Sequence, residues 1–314
     1  PFTLYYCDHH HFPLPEGHKF PISKYRLLRE ELQTDTRFTL VASELAKCHD
    51  ILRIHDLVYV DGFLNGTLEN PVMRRIGFPW SPELVTRTLA SAGATLSATR
   101  TALSTGVSGT LAGGTHHASR NEGSGFCVFN DLAISLDWAR SERGIGRAAV
   151  IDLDVHQGDG TAAIFEEDPA VFTLSLHGAK NFPFRKRHST LDVELEDFTN
   201  DEHYLAVLEP ALEKVWQFAP ELIIFQAGVD TLKADRLGRL GLTREGLRKR
   251  DLLVLRTAAQ LQIPIVITIG GGYSEPIDET VQANAQTFRT AAEVFSGLIP
   301  TEVGARAESK SFAE

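Results

Sequence analysis

Ala148-Ala149-Val150-Ile151-Asp152-Leu153-Asp154-Val155-His156-Gln157-Gly158-Asp159-Gly160 begins as a strand and ends as a cluster of polar groups. Ala148 to Ile151 is a short apolar run, with Gly146 ahead of it as punctuation, and reads as a buried β-strand. Asp152, Asp154 and His156 then fall at every second position, so on an extended backbone their side chains share one side while Leu153 and Val155 take the other. Polar groups fanned from the end of a buried strand need a partner, because buried carboxylates are paired or bind a metal. Two carboxylates and an imidazole suit zinc, although a closed structural site is more often rich in cysteine. A strand end with solvated acids is the plainer reading. Gly158 and Gly160 weigh against it, because they imply a tight path that aims one more carboxylate, Asp159.

Strands and helices alternate on both sides of this stretch. Phe2 to Cys7 reads as a strand, and residues 24–33 as a helix with Leu27, Leu28 and Leu32 on one face and Ser23 as N-cap. Leu40-Val41-Ala42 is strand-like, with a helix expected from near Ser43. In Ser81-Pro82-Glu83 a cap is followed by proline at the first helical position, which predicts a long helix to about Thr105. Further helices are expected near 130–140, 203–218, 243–262 and 278–295, and strands over 171–176, 222–230 and 265–269. Continuous apolar runs bounded by glycine indicate a parallel sheet covered on both faces. In such α/β sheets function gathers at the strands' carboxyl ends. His116 and His117, Asp152 to Asp159, Asp230 and Tyr273 all follow such ends. No composition break divides the chain, so a single α/β domain over residues 1–304 is expected, with 305–314 a disordered tail.

Composition sets outer limits. The chain has 314 residues, 43% apolar and 23% charged, which is ordinary for a globular α/β protein. A net charge of −10 leaves no basic excess for nucleic acid, and suits a cationic substrate or basic peptide. Cys7, Cys48 and Cys127 are odd in number without C-x-x-C spacing, as in a reducing compartment. No apolar run reaches membrane-spanning length and no signal pattern opens the chain, so a cytoplasmic protein without a membrane partner is expected. The triplet His9-His10-His11 reads as a solvent-facing loop, because three adjacent imidazoles cannot turn to one point.

The polar groups combine into one chemistry. Asp154, His156 and Asp230 offer three metal ligands and leave an open position, as catalytic rather than structural sites do. A metal there would activate water and polarise a carbonyl. His116 and His117 supply general base and acid, and Asp152 and Asp159 are two acids free to orient them. Tyr273, after Gly270-Gly271-Gly272, can donate its phenolic proton to a developing oxyanion. Together these groups describe amide hydrolysis.

The order Gly-Gly-Thr-His-His-Ala (113–118), Gly-Phe-Cys-Val-Phe-Asn (125–130), Asp-Leu-Asp-Val-His-Gln-Gly-Asp-Gly (152–160), Ala-Gly-Val-Asp (227–230) and Gly-Gly-Gly-Tyr (270–273) resembles the histone deacetylase superfamily, from about Tyr5 to Phe295. That superfamily also holds acetoin-utilisation proteins and acetylpolyamine amidohydrolases. The resemblance implies an arginase-like α/β fold with a central, mostly parallel, eight-stranded sheet. It implies that Asp154, His156 and Asp230 hold zinc (ferrous iron being the alternative), and that Asp152 and Asp159 support the catalytic His116 and His117. Tyr273 takes the place of the transition-state tyrosine. Gly125, Phe126 and Phe182 match walls of an acyl-lysine tunnel, Leu237 its rim, and Gly271 a further substrate position. Potassium is implied at an inner site made by Asp152, Asp154, His156, Ser175 and Leu176, and at a second made by Phe165, Asp168 and Val171.

Several positions depart from most members of the superfamily. Gln157 replaces a second histidine, and Lys24 stands where many members have an arginine. Asp235-Arg236-Leu237-Gly238, Lys249-Arg250-Asp251 and the short loop between His177 and Asp192 resemble class IV enzymes and their bacterial relatives, some of which favour long acyl chains. The expected partner is an acylated lysine of a protein or peptide. A small acylated amine and a catalytically silent acyl-lysine binding module are the alternatives.

Overall fold

The computed structural model describes residues 1–297, so the expected tail at 305–314 lies outside the described residues. In chain order the elements are β1 (Phe2–Tyr6), α1 (Ser23–Leu32), β2 (Phe38–Ala42), α2 (Cys48–Ile51), α3 (Leu57–Leu64), α4 (Asn70–Ile76), α5 (Pro82–Thr105), β3 (Val107–Thr110) and α6 (Asp131–Arg143). There follow β4 (Ala148–Asp152), α7 (Asp159–Phe165), β5 (Val171–Gly178), β6 (Leu191–Leu195), α8 (Asp201–Phe218), β7 (Leu222–Gln226), α9 (Arg244–Gln260), β8 (Ile265–Thr268) and α10 (Asp278–Phe295).

The strands form one eight-stranded sheet in the order β2-β1-β3-β8-β7-β4-β5-β6. Every pairing in it is parallel. Residues of the central strands alternate between two apolar layers. Ala149, Ile151, Ile223, Phe225, Ile265 and Ile267 pack on one face, and Ala148, Val150, Leu222, Ile224 and Val266 on the other. Burial on both faces is what makes these strands read as unbroken apolar runs.

Helix termini follow side-chain chemistry. Ser81 Oγ accepts the N–H of Leu84 at 3.0 Å, and Pro82 opens α5, as the sequence predicts. Asn130, Asn200 and Thr243 cap α6, α8 and α9 in the same way. The small residues of α5 let another backbone come close: the N–H of Ala46 donates to Leu89 O at 2.9 Å, and a side chain at Gly93 would strike the backbone of Glu44.

Some expected boundaries move. Ser23 is the first residue of α1 rather than its cap; Ile22 precedes it in helical conformation, without a capping side chain. No helix begins at Ser43. The chain stays irregular until Cys48, with Ser43 Oγ donating to Ala90 O. The apolar run from Leu222 is strand only to Gln226, after which the backbone turns to present Asp230. Helix α4 and strands β3 and β6 are additional to the sequence reading. Among the described residues no helix is long and apolar enough to cross a membrane.

Candidate active site

Strand order brings the polar loops together. β3, β8, β7 and β4 are successive neighbours, so the loops after them open side by side at one edge of the sheet. Asp152 pairs in register with Gln226, and Gln226 with Thr268. Gln226 Nε2 reaches across to donate to Gly114 O at 2.8 Å, which ties the loop after β3 to the sheet. The next tie is Asp131 at the start of α6. Its carboxylate accepts the N–H groups of Gly114 and Thr115 at 3.0 and 2.7 Å, and so fixes the backbone just before His116.

Each histidine of the pair donates its Nδ1–H to its own carboxylate. His116 Nδ1 lies 2.6 Å from Asp152 Oδ2, and His117 Nδ1 lies 2.6 Å from Asp159 Oδ1. This leaves both Nε2 atoms free, because the bond at one ring nitrogen sets the role of the other. The two rings are electrically unlike. Burial works against the charged form of both. At His116 the carboxylates of Asp152 and Asp154 outweigh burial and raise the ring to about 9. At His117 burial, reinforced by the charge of His116, lowers it to about 4 despite Asp159. A cation near Asp154 would weaken the pull on His116.

Asp154, His156 and Asp230 converge beside the pair, their potential ligand atoms all within 4.8 Å of one another. His156 Nδ1 lies 3.0 Å from Asp154 Oδ1 and 3.1 Å from Asp230 Oδ2. Backbone donors aim the carboxylates: Gly271 N–H reaches Asp154 Oδ2 at 2.7 Å, and Val155 N–H reaches Asp230 Oδ1 at 2.9 Å. Burial and the neighbouring Asp154 raise Asp230 to about 7. Two buried carboxylates sharing one imidazole are a donor set that calls for a cation, and its chemistry fits a three-ligand catalytic metal. Glycine is required at 271, since a Cβ there would run into the Asp230 carboxylate.

A cavity of about 100 Å³ connects these groups, lined among others by His116, His117, Asp154, His156, Gly271 and Tyr273. Gly125 and Phe126 form part of its wall, both with positive φ (54° and 66°), and a side chain at Gly125 would crowd His117 and Phe182. The Phe182 ring stands edge-on to His117 at 5.0 Å. Leu237, 36% exposed, lines an outer groove together with Tyr273. Tyr273 therefore borders both the inner cavity and the outside.

The positions expected to hold potassium lie behind this site. Ser175 and Leu176 are buried in β5, with Ser175 Oγ 2.9 Å from His177 Nδ1. Phe165 ends α7 and Val171 opens β5. Between them Asp168 turns its carboxylate to Arg140 at 2.5 Å, while its backbone oxygen accepts the N–H of Val171 at 3.1 Å.

The functional-site groups added by the structure lie one layer further out. Asp235 accepts the N–H groups of Tyr273, Leu237 and Gly238 at 2.6, 2.9 and 2.8 Å. Fully buried Arg250 pairs with Asp251 and donates to Leu153 O and Gly228 O at 3.2 and 2.6 Å, bracing the backbone ahead of Asp154 and Asp230. Lys24, also buried, donates to Gly270 O at 3.0 Å and Gly272 O at 3.4 Å, beneath the Tyr273 ring. Of these, Lys24, Asp235, Arg250 and Asp251 were visible in the sequence only as subfamily features. Asp131 and Gln226 carried no signal apart from being polar residues beside apolar runs.

The histone deacetylase domain model matches residues 18–290. The chain belongs to the histone deacetylase family. An uncharacterized protein of Picosynechococcus sp. is 41% identical over 299 residues, covering 94% of this chain and 99% of its own length. Histone deacetylase 2 of Arabidopsis thaliana is 36% identical over 215 residues, 67% of this chain and 54% of its own. Histone deacetylase 8 of Xenopus laevis is 33% identical over 177 residues, 52% of this chain and 53% of its own. The match thus spans about half the length of these two named deacetylases. As a family member the chain has the expected fold, with its sheet wholly rather than mostly parallel.

Proposed function

We propose that this protein is a zinc-dependent hydrolase that removes acyl groups from lysine side chains of proteins or peptides. The observation that carries the reading is the meeting of Asp154, His156 and Asp230 with two carboxylate-anchored histidines and Tyr273 around one narrow cavity. Zinc held by the three ligands supplies a Lewis acid and acidifies water; ferrous iron is the alternative ion.

The remaining chemistry belongs to the chain. His117, neutral and held by Asp159, accepts a proton at Nε2 and returns it to the leaving amine. His116, held by Asp152, in its protonated form stabilises negative charge that develops on the acyl carbon's oxygen. Tyr273 donates its O–H to the same oxygen as the charge develops. Gly125, Phe126 and Phe182 enclose the aliphatic part of the lysine and exclude water, Leu237 meets the peptide at the rim, and Gly271 keeps Asp154 turned inward. Asp152, Asp154, His156, Ser175 and Leu176, with Phe165, Asp168 and Val171 beyond, are the proposed potassium ligands, mainly through backbone oxygens. The catalytic domain is taken as residues 1–304 and the subfamily as class IV-like. Three free cysteines agree with a cytoplasmic protein.

The test is hydrolysis of lysine peptides carrying acetyl, trifluoroacetyl, octanoyl or myristoyl groups, beside an acetylated polyamine, with and without added zinc. Zinc-dependent turnover of one or more peptides is expected. Turnover of the polyamine alone would move the function to small-molecule metabolism, and silence on every substrate with metal bound would favour the binding module.

A further inference from the structure

The tunnel mouth carries a charge opposite in sign to that of the whole chain, whose formal net charge is −10. Lys19 and Arg236 line an outer groove of about 910 Å³ together with Leu237 and Tyr273. Arg74 lines a second groove, of about 680 Å³, and His18 borders both. The backbone of the neighbouring Arg75 accepts the N–H of Gly125 at 3.1 Å, which fixes the end of α4 against the tunnel wall. Arg185 and Arg187 are exposed on the loop that carries Phe182. Lys186 Nζ on that loop donates to the carbonyls of Asn181 and Pro183 at 2.6 Å each and holds its shape.

Ion pairing leaves these cations in surplus. Several acids near the opening are already engaged: exposed Glu275 with Arg236 at 2.8 Å, exposed Glu122 with Arg75 at 3.6 Å, and half-buried Asp197 with Arg239 and Lys180 at 2.5 and 3.8 Å. Asp235 is buried and turned to backbone N–H groups. Among the described residues Lys19, Arg74, Arg185, Arg187 and Lys233 have no carboxylate within 4.0 Å. Glu16, Glu69 and Glu194 are the exposed acids without an ion pair nearest these segments, fewer than the unpaired cations, while Asp278 and Glu279 lie past Ile277, where the groove lining ends.

Resting on the acyl-lysine reading above, we infer that the rim selects acyl-lysine set among acidic residues and disfavours basic flanking sequence and polycationic amines. The cations belong to separate segments, so a lysine seated in the tunnel brings its flanking residues into a field built by several of them, screened over a Debye length of about 8 Å. Complementary charge of this kind speeds encounter and rejects partners of the wrong sign. The overall acidity, which on composition suited a cationic substrate, is therefore reversed where substrate arrives.

The experiment uses three acyl-lysine peptides of equal length whose flanking positions are all Glu, all Ala or all Lys, measured for kcat/KM and for binding by fluorescence anisotropy at low and physiological salt. An exposed pair is worth at most a few-fold, so several together give a span of about tenfold between Glu and Lys flanks. The order Glu, Ala, Lys is expected, carried by KM and narrowing as salt rises. Arg185→Glu combined with Arg187→Glu, and separately Lys19→Glu on another segment, should each compress the Glu-to-Lys ratio. Equal constants, a preference for Lys flanks, or an order indifferent to salt and to both variants would overturn the inference. Absence of turnover on every peptide would sink the acyl-lysine reading instead, and anisotropy would still rank the three.

Discussion

Lys24→Met separates what holds the site from what holds the fold. Lys24 is fully enclosed, and burial, only partly offset by Asp230, Asp154 and Asp235, lowers its ammonium to about 8 from 10.5. At 1.36 kcal/mol per unit, keeping it charged at neutral pH disfavours the folded state by about 3 kcal/mol. Against this, Lys24→Met leaves Gly270 O and Gly272 O without their donor, at about 1–3 kcal/mol for each buried carbonyl. The two effects nearly cancel, so Tm should move by only a few degrees. Activity has no such compensation. The glycine run carries Gly271, which aims Asp154, and leads into Tyr273, and among the described residues no other donor reaches Gly270 O or Gly272 O. Misplacing a catalytic group by about 1 Å is worth about 100-fold, so kcat should fall by about 10- to 100-fold. Steady-state kinetics on an acyl-lysine peptide, beside a thermal melt, read both quantities. Unchanged kcat, or a loss of activity that merely tracks a large loss of stability, would refute the argument.

Tyr273→Phe should retain its metal by elemental analysis yet lose about 100- to 1000-fold in kcat, the usual effect of removing an oxyanion donor; undiminished turnover would remove Tyr273 from the chemistry. Arg250→Met should weaken metal binding, measured by titration against a chelator, because Leu153 O and Gly228 O lose their brace; the milder Thr287→Val, which loosens Asp251, should shift affinity in the same direction by less. His55, lowered to about 4 by burial and accepting the N–H of Asn130 at 2.8 Å, makes stability pH-dependent. Its folded value lies below the ordinary 6.5, so its contribution is complete above about pH 6.5 and is lost as pH falls towards 4, by about 3 kcal/mol. Denaturant melts across that range should show the loss, and His55→Gln should flatten the profile by that amount.

The α/β class was legible because the central strands are buried on both faces and bounded by glycine. Every-second-residue spacing groups Asp152, Asp154 and His156 by assuming extended backbone, whereas β4 ends at Asp152 and the chain bends through residues 154–156, so their meeting is owed to that bend and not to strand alternation. His116 and His117 read as following a strand end although β3, the strand that leads to them, was not itself legible. Strand order itself was not legible: β8 sits between β3 and β7 through pairing partners far apart in sequence. Val107-Ser108-Gly109-Thr110 is too short and polar to announce β3, and the edge strand β6, Leu191–Leu195, keeps one polar face. Ser23 looked like a cap because its type fits one, but the chain already turns helically at Ile22. Asp131 and Gln226 were invisible as site residues because their partners are backbone groups of a distant loop.

The central claim is that one metal ion per chain, held by Asp154, His156 and Asp230, is required for turnover of acyl-lysine. The direct measurement is stepwise addition of zinc to chelator-stripped protein, with bound metal and peptide hydrolysis followed in the same samples, beside Asp230→Ala. Activity should rise in proportion to bound zinc and level off at one equivalent at this site, while Asp230→Ala binds none there and stays silent. Full hydrolysis by the stripped protein, or full zinc occupancy in Asp230→Ala, would contradict the account.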